Sequence, residues 1–137
     1  MVLARSEARK VAMQLVYAQM LGGDGSSETM RGLLAANPTK EDAAYIEAIV
    51  QGIETDANTL DTELTKHLIN WSIERLSRID LAILRIAAYE ILRMPDVPAA
   101  VSINEAIELS RVFSTDDAGS FINGVLASFV RAEESIP

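Results

Sequence analysis

The stretch Ile79-Asp80-Leu81-Ala82-Ile83-Leu84-Arg85-Ile86-Ala87-Ala88-Tyr89-Glu90-Ile91-Leu92 decides the fold. Wound at 3.6 residues per turn, it is apolar around most of its circumference, which marks a helix covered on several sides. It is too long for an ordinary buried strand, and its alanines favour the helix. Pro95 and Pro98 end it, because proline cannot donate to the helical ladder. A central helix of this kind needs others around it, so the flanking sequence should be helical on both sides.

Towards the C-terminus, Ser102-Ile103-Asn104-Glu105 has the form of a capping box. It predicts a helix whose inner face is Ile103, Ala106, Ile107 and Ser110. Ser114-Thr115-Asp116-Asp117 offers a second cap, and Ala118, Phe121, Ile122, Val125, Leu126, Phe129 and Val130 then follow the helical period. Asn123-Gly124 could close a hairpin, but the helical period runs through it. A glycine inside a helix costs about 1 kcal/mol relative to alanine, and close approach of another backbone is the expected reason for one here.

Towards the N-terminus, Leu60, Leu64 and Leu68 predict a helix from about Asp56 to Leu68, with Trp71 next at the same spacing, and Ala43, Ile46, Ile49, Val50 and Ile53 predict another ending near Thr55. Thr39 is the N-cap of the latter, with Asp42 at the third helical position. Asn37-Pro38 breaks a short helix near residues 28–36, and Gly22 to Ser27 form a flexible loop. Residues 4–21 read as an amphipathic helix with Ala8, Val11, Ala12, Leu15 and Val16 inside. Arg5, Arg9, Lys10, Gln14 and Tyr17 lie opposite, and Lys10, Gln14 and Tyr17 share one stripe. The total is about seven helices in an all-α fold of one domain, residues 1–137.

Composition narrows the functions. With 137 residues, 49% of them hydrophobic, the chain has material for one core. The absence of cysteine excludes disulfides, thiolate metal sites and thiol nucleophiles, and one histidine, His67, cannot build a histidine metal site. No apolar run approaches the roughly 20 residues a membrane span needs, and the start has no signal-peptide core, so a soluble cytoplasmic protein is expected. The paired carboxylates Glu105/Glu108 and Glu133/Glu134 have no nucleophile or second histidine beside them, and no phosphate-binding glycine fingerprint is present, so neither an enzyme nor a cofactor is expected. The net charge of −8 opposes nucleic-acid binding, which is driven by Lys and Arg, but Arg5, Arg9 and Lys10 against Glu7 form one positive end.

Four blocks, in order, carry a family resemblance. Ala8-Arg9-Lys10-Val11-Ala12-Met13-Gln14-Leu15-Val16-Tyr17 resembles the opening of the NusB family of bacterial transcription antitermination factors. Ile79-Asp80-Leu81-Ala82-Ile83-Leu84-Arg85-Ile86-Ala87-Ala88-Tyr89-Glu90-Ile91 is similar to its central helix. Val97-Pro98 through Ile103-Asn104-Glu105-Ala106-Ile107-Glu108-Leu109 and Phe121-Ile122-Asn123-Gly124-Val125-Leu126 resemble its two C-terminal signatures. The resemblance implies two packed three-helix subdomains without catalytic activity. It implies binding of boxA-type RNA together with NusE, a small-subunit ribosomal protein, within the RNA polymerase antitermination complex, by a protein that is a monomer or homodimer.

On that resemblance, Arg5, Arg9 and Lys10 are candidates for RNA phosphate contacts, since forked guanidinium donors suit phosphate. Gln14 and Tyr17 are candidates for base-edge bonding and stacking. Asp117, Phe121 and Asn123, at the start of the last helix, are implied to lie near RNA. Glu74 and Asp80, flanking the central helix, are candidates for the basic NusE partner. Asn104, Glu105, Tyr89 and Glu90 read as structural, with Glu105 closing its cap, and His67 reads as a surface residue. Ser6 and Glu7 depart from the family's arginine-rich start, which keeps open a protein-only helical module with lost or weak RNA binding. The helical domain that precedes some ribosomal RNA methyltransferases is a further alternative, without a methyltransferase domain here.

Overall fold

A computed structural model describes residues 5–22 and 39–134. The predicted loop after Gly22 and the short helix near residues 28–36 lie outside the described residues. Five α-helices and no strand are found among the described residues: α1 (Arg5–Met20), α2 (Lys40–Thr65), α3 (Arg78–Arg93), α4 (Ala99–Phe113) and α5 (Ala118–Glu134), with a 3-10 turn at Ile73–Arg75. None of these helices is long and apolar enough to cross a membrane. The chain divides into two compact units, Met1–Thr55 and Asp56–Pro137.

In the first unit, α1 buries Ala8, Val11, Ala12, Leu15 and Val16, as the period predicts. Gly22 ends it in the left-handed region at φ 89°, with its N–H donating to the Gln19 carbonyl. Thr39 is the predicted N-cap of α2, its Oγ1 accepting from the Asp42 N–H at 3.0 Å. Arg5 Nε donates to Asp42 at 3.0 Å and Gln19 donates to Glu54 at 3.5 Å, so α1 and the first part of α2 run in the same direction.

The two helices predicted on either side of Thr55 are one. Thr55-Asp56-Ala57-Asn58 contains neither proline nor glycine, and nothing there stops the ladder. The stop comes ten residues later than Thr55, after Thr65. Thr62 and Thr65 turn their hydroxyls back onto the carbonyls of Asn58 and Asp61, and Leu68 lies outside the helix.

In the second unit α3 is the central helix expected, with Leu81, Ala82, Ile83, Leu84, Ile86, Ala87 and Ala88 all buried. Ser77 caps it by accepting from the Asp80 N–H at 3.0 Å. Helices α3, α4 and α5 all pack on one another. Arg85 clamps Asp61 of α2 through two bonds of 2.8 and 2.6 Å, a forked pairing that a lysine could not make.

The predicted capping box is wrong in position. Helix α4 begins one turn earlier, at Ala99, with Pro98 as its N-cap residue and the Pro98 carbonyl accepting from Val101 and Ser102. Ser102 therefore lies inside the helix. The inner face is Ser102, Ala106, Leu109 and Ser110, while Ile103, Ile107 and Glu105 are half-buried. Ser102 instead donates its hydroxyl to Glu90 Oε1 at 3.0 Å, both residues being almost fully buried. A buried carboxylate deprived of a donor carries a desolvation cost of about 1–3 kcal/mol. Ser102→Ala is accordingly expected to lower unfolding stability by about 1–3 kcal/mol in urea titrations, while the exposed neighbour Asn104→Ala leaves it within about 0.5 kcal/mol. Equal midpoints for the two variants would show that the bond carries no weight.

Candidate nucleic-acid interface

The basic residues of α1 do not share one surface. Arg5 and Arg9, four apart, lie on one stripe, and both guanidinium groups sit over the Tyr45 ring, at 4.6 and 5.6 Å from its centroid. Arg9 is 3% exposed, within the helix's buried arc beside Met13. Its predicted place on the exposed face is therefore corrected. An arginine can enter such an arc because its apolar stem packs and its weakly hydrated plane stacks on an aromatic face. Arg5 remains exposed at the helix start, beside its bond to Asp42. Lys10 faces another way, pairs with Glu7 at 3.0 Å, and shares its stripe with the half-buried Gln14 and Tyr17.

The second unit builds an aromatic ridge. Past α2 the chain turns through Asn70, whose φ of 63° is tolerated by asparagine better than by most residues. The turn brings out Ile69, 81% exposed, and Trp71, 48% exposed. The 3-10 turn then places Arg75 over the Trp71 ring, 5.4 Å from its centroid, and leaves Glu74 exposed. From α5, one turn into the helix, Phe121 meets Trp71 edge to face at 6.1 Å.

Clefts flank this ridge. One, of about 490 Å³, is lined by Trp71, Arg75, Asp80, Asp117 and Phe121 among others. Asp80 is fixed there, accepting from the Ser114 hydroxyl at 2.6 Å, so Ser114 binds across to α3. The other, of about 410 Å³, runs past Lys66, His67, Phe121, Gly124, Ser128 and Arg131. His67 is half-buried, in contrast to the surface position expected: its Nδ1 lies 2.7 Å from Ser128 Oγ and its ring meets Phe129. A third cleft, of about 720 Å³, takes Asn123 together with Asn104, Arg111 and Asp116.

Of the sequence-predicted residues, the structure thus gathers Asp80, Asp117 and Phe121 at one cleft and sends Asn123 to another, because residues two apart on a helix face nearly opposite ways. Gly124 is exposed, and a Cβ there would meet nothing within 4 Å among the described residues, so none of them makes the predicted backbone approach. Trp71 and Arg75 were missed. Trp71 follows Leu68 at helical spacing, which puts it on the stripe of Leu60, Leu64 and Leu68; the signal against that placement is Asn70, a residue that often leaves the helix. Arg75, four residues beyond Trp71, then had no aromatic to pair with.

The NusB family model matches residues 6–131, and the chain belongs to the NusB family. It is 39% identical over 131 residues to the transcription antitermination protein NusB of Clostridium novyi, covering 93% of this chain and 98% of that one. The fold is similar to T. maritima NusB, with a TM-score of 0.85 and 27% identity over 96% of this chain and 93% of that one. It is also similar to a chain in the crystal structure of antitermination factors NusB and NusE with double-stranded RNA, with a TM-score of 0.81 and 23% identity over 93% and 96% of the two chains, a likeness of fold alone.

Proposed function

We propose that this chain is a cytoplasmic, non-catalytic transcription antitermination factor that binds boxA-type RNA together with NusE. The observation that carries the reading is the ridge of exposed Trp71 and half-buried Phe121 with Arg75 over the indole, in a chain of the NusB family. Unpaired RNA bases are held by stacking on aromatic rings and arginine planes, which needs rings that water can reach. Phe121 and Trp71 stack bases, and Asp117 accepts from base amino groups at the cleft they line. Tyr17 and Gln14 on α1 add a stacking face and a base-edge donor, Asn123 reaches RNA from its own cleft, and Arg5 and Lys10 contact phosphate. Arg9 has a structural part, its buried guanidinium lying over Tyr45 of α2. Glu74 and Asp80 face NusE, whose positive charge offsets the repulsion between RNA and a chain of net charge −8.

The burial of Arg9, with Ser6 and Glu7 beside it, favours one second reading, a protein-only module of weak RNA affinity. Fluorescence anisotropy of a labelled boxA-type RNA separates the two. Salt-sensitive binding that appears on adding NusE is the expected result. No binding with NusE present, with the protein complex confirmed by gel filtration, would leave only the protein-only role.

A further inference from the structure

We propose that RNA continues over the Trp71–Phe121 ridge into the cleft on its far side, where Lys66 and Arg131 hold the phosphates of nucleotides flanking the core site. This rests on the RNA-binding reading above and extends it to a surface that, of the residues named there, only Phe121 and Trp71 touch. The cleft of about 410 Å³ falls within the usual range of ligand clefts, roughly 300–1,000 Å³. Its lining holds Lys66, His67 and Arg131 and, among the described residues, no carboxylate, in a chain with 20 acidic residues against 12 basic ones. Lys66 keeps an ion pair with Glu63 at 3.0 Å, but both are on the surface, where such a pair exchanges readily for phosphate. One wall is the aromatic pair itself, so a base stacked on Phe121 or Trp71 places its neighbour at the cleft.

Gly124 supplies an independent observation. It lies in the middle of α5, where glycine weakens a helix, and among the described residues no atom within 4 Å of its missing Cβ requires it. It lines the same cleft. The absent side chain keeps the floor of the cleft low, which an occupant requires and the folded chain does not. A strip of cations beside stacking rings is the form of a track for single-stranded nucleic acid. A basic protein would be repelled by Lys66 and Arg131, so single-stranded RNA is the occupant the charge selects.

The test uses the full chain with NusE and two labelled RNAs, a boxA-type core and the same core extended by four nucleotides at either end. The wild-type protein is expected to bind one extended RNA about tenfold more tightly than the core. Lys66→Gln with Arg131→Gln should remove that gain, lower the slope of log affinity against log salt by about 1.4, and leave core binding intact. Gly124→Leu, which adds helix propensity and fills the cleft, should remove the gain as well. If neither variant alters the preference for extended RNA, or no extension tightens binding, the track is absent. If core RNA itself fails to bind, the functional reading falls and this inference with it. Loss of NusE binding in the Lys66/Arg131 variant would make the cleft a protein contact and overturn the proposal.

Discussion

Phe129→Ala is expected to destabilise the protein by about 3–5 kcal/mol, the usual cost of removing a fully buried phenylalanine. The ring is 1% exposed, on the buried stripe of α5 with Ile122, Val125 and Leu126. It also serves as a wall for the His67 ring, 5.7 Å away, whose Nδ1 meets Ser128. The truncation therefore opens a cavity and loosens the turn that follows α2. Against a typical total stability of about 5–15 kcal/mol, such a loss is a large fraction. Urea unfolding followed by circular dichroism should show a clearly lower midpoint. Phe121→Ala, half-buried on the ridge, should cost much less in the same experiment. Similar losses for the two would mean that the ridge is part of the core, and the stacking surface would lose its basis.

Arg5→Ala combined with Lys10→Ala is expected to weaken RNA binding in the presence of NusE about tenfold near 0.1 M salt, with the salt slope falling by about 1.4 for two lost contacts to a single strand. Arg9→Ala should behave differently. Its guanidinium is buried over Tyr45, so the expected effect is a loss of folding stability of roughly 2 kcal/mol, with RNA affinity of the folded protein changed little. Truncating Arg9 and Lys10 together would mix a folding lesion with a contact lesion. Anisotropy at two salt concentrations and a thermal melt separate them. Unchanged RNA affinity in the Arg5/Lys10 variant would remove α1 from the phosphate-binding surface.

The fold was legible where hydrophobic period and length agreed. The central helix is apolar all round because helices cover it on more than one side, and the Thr39 cap and the stripe of α5 follow local rules that tertiary structure left alone. The failures have physical causes. The capping box at Ser102 was a local pattern overruled by Pro98, which starts the helix earlier and turns Ser102 inward to serve Glu90. The division at Thr55 assumed that a polar run ends a helix, when only a broken ladder does. Asp80, Asp117 and Phe121 were candidates implied by the family resemblance, the first for a protein partner and the others for RNA; that they line one cleft was not legible, since it depends on how the segment after α2 meets the start of α5. Arg9 and Trp71 exchanged expected environments: period alone placed the cation outside and the indole inside, and it carries no information about a cation over a tyrosine or a turn that pushes an aromatic outward.

Trp71 is the chain's one tryptophan, and it stands on the ridge between two clefts, with Arg75 above it and Phe121 at its edge. The intrinsic ultraviolet emission of the protein therefore comes largely from a single indole at the place where occupancy matters. Anything that enters either cleft changes the polarity around that ring or quenches it directly. The molecule carries its own optical reporter, and unlabelled ligands can be titrated against it without altering a residue.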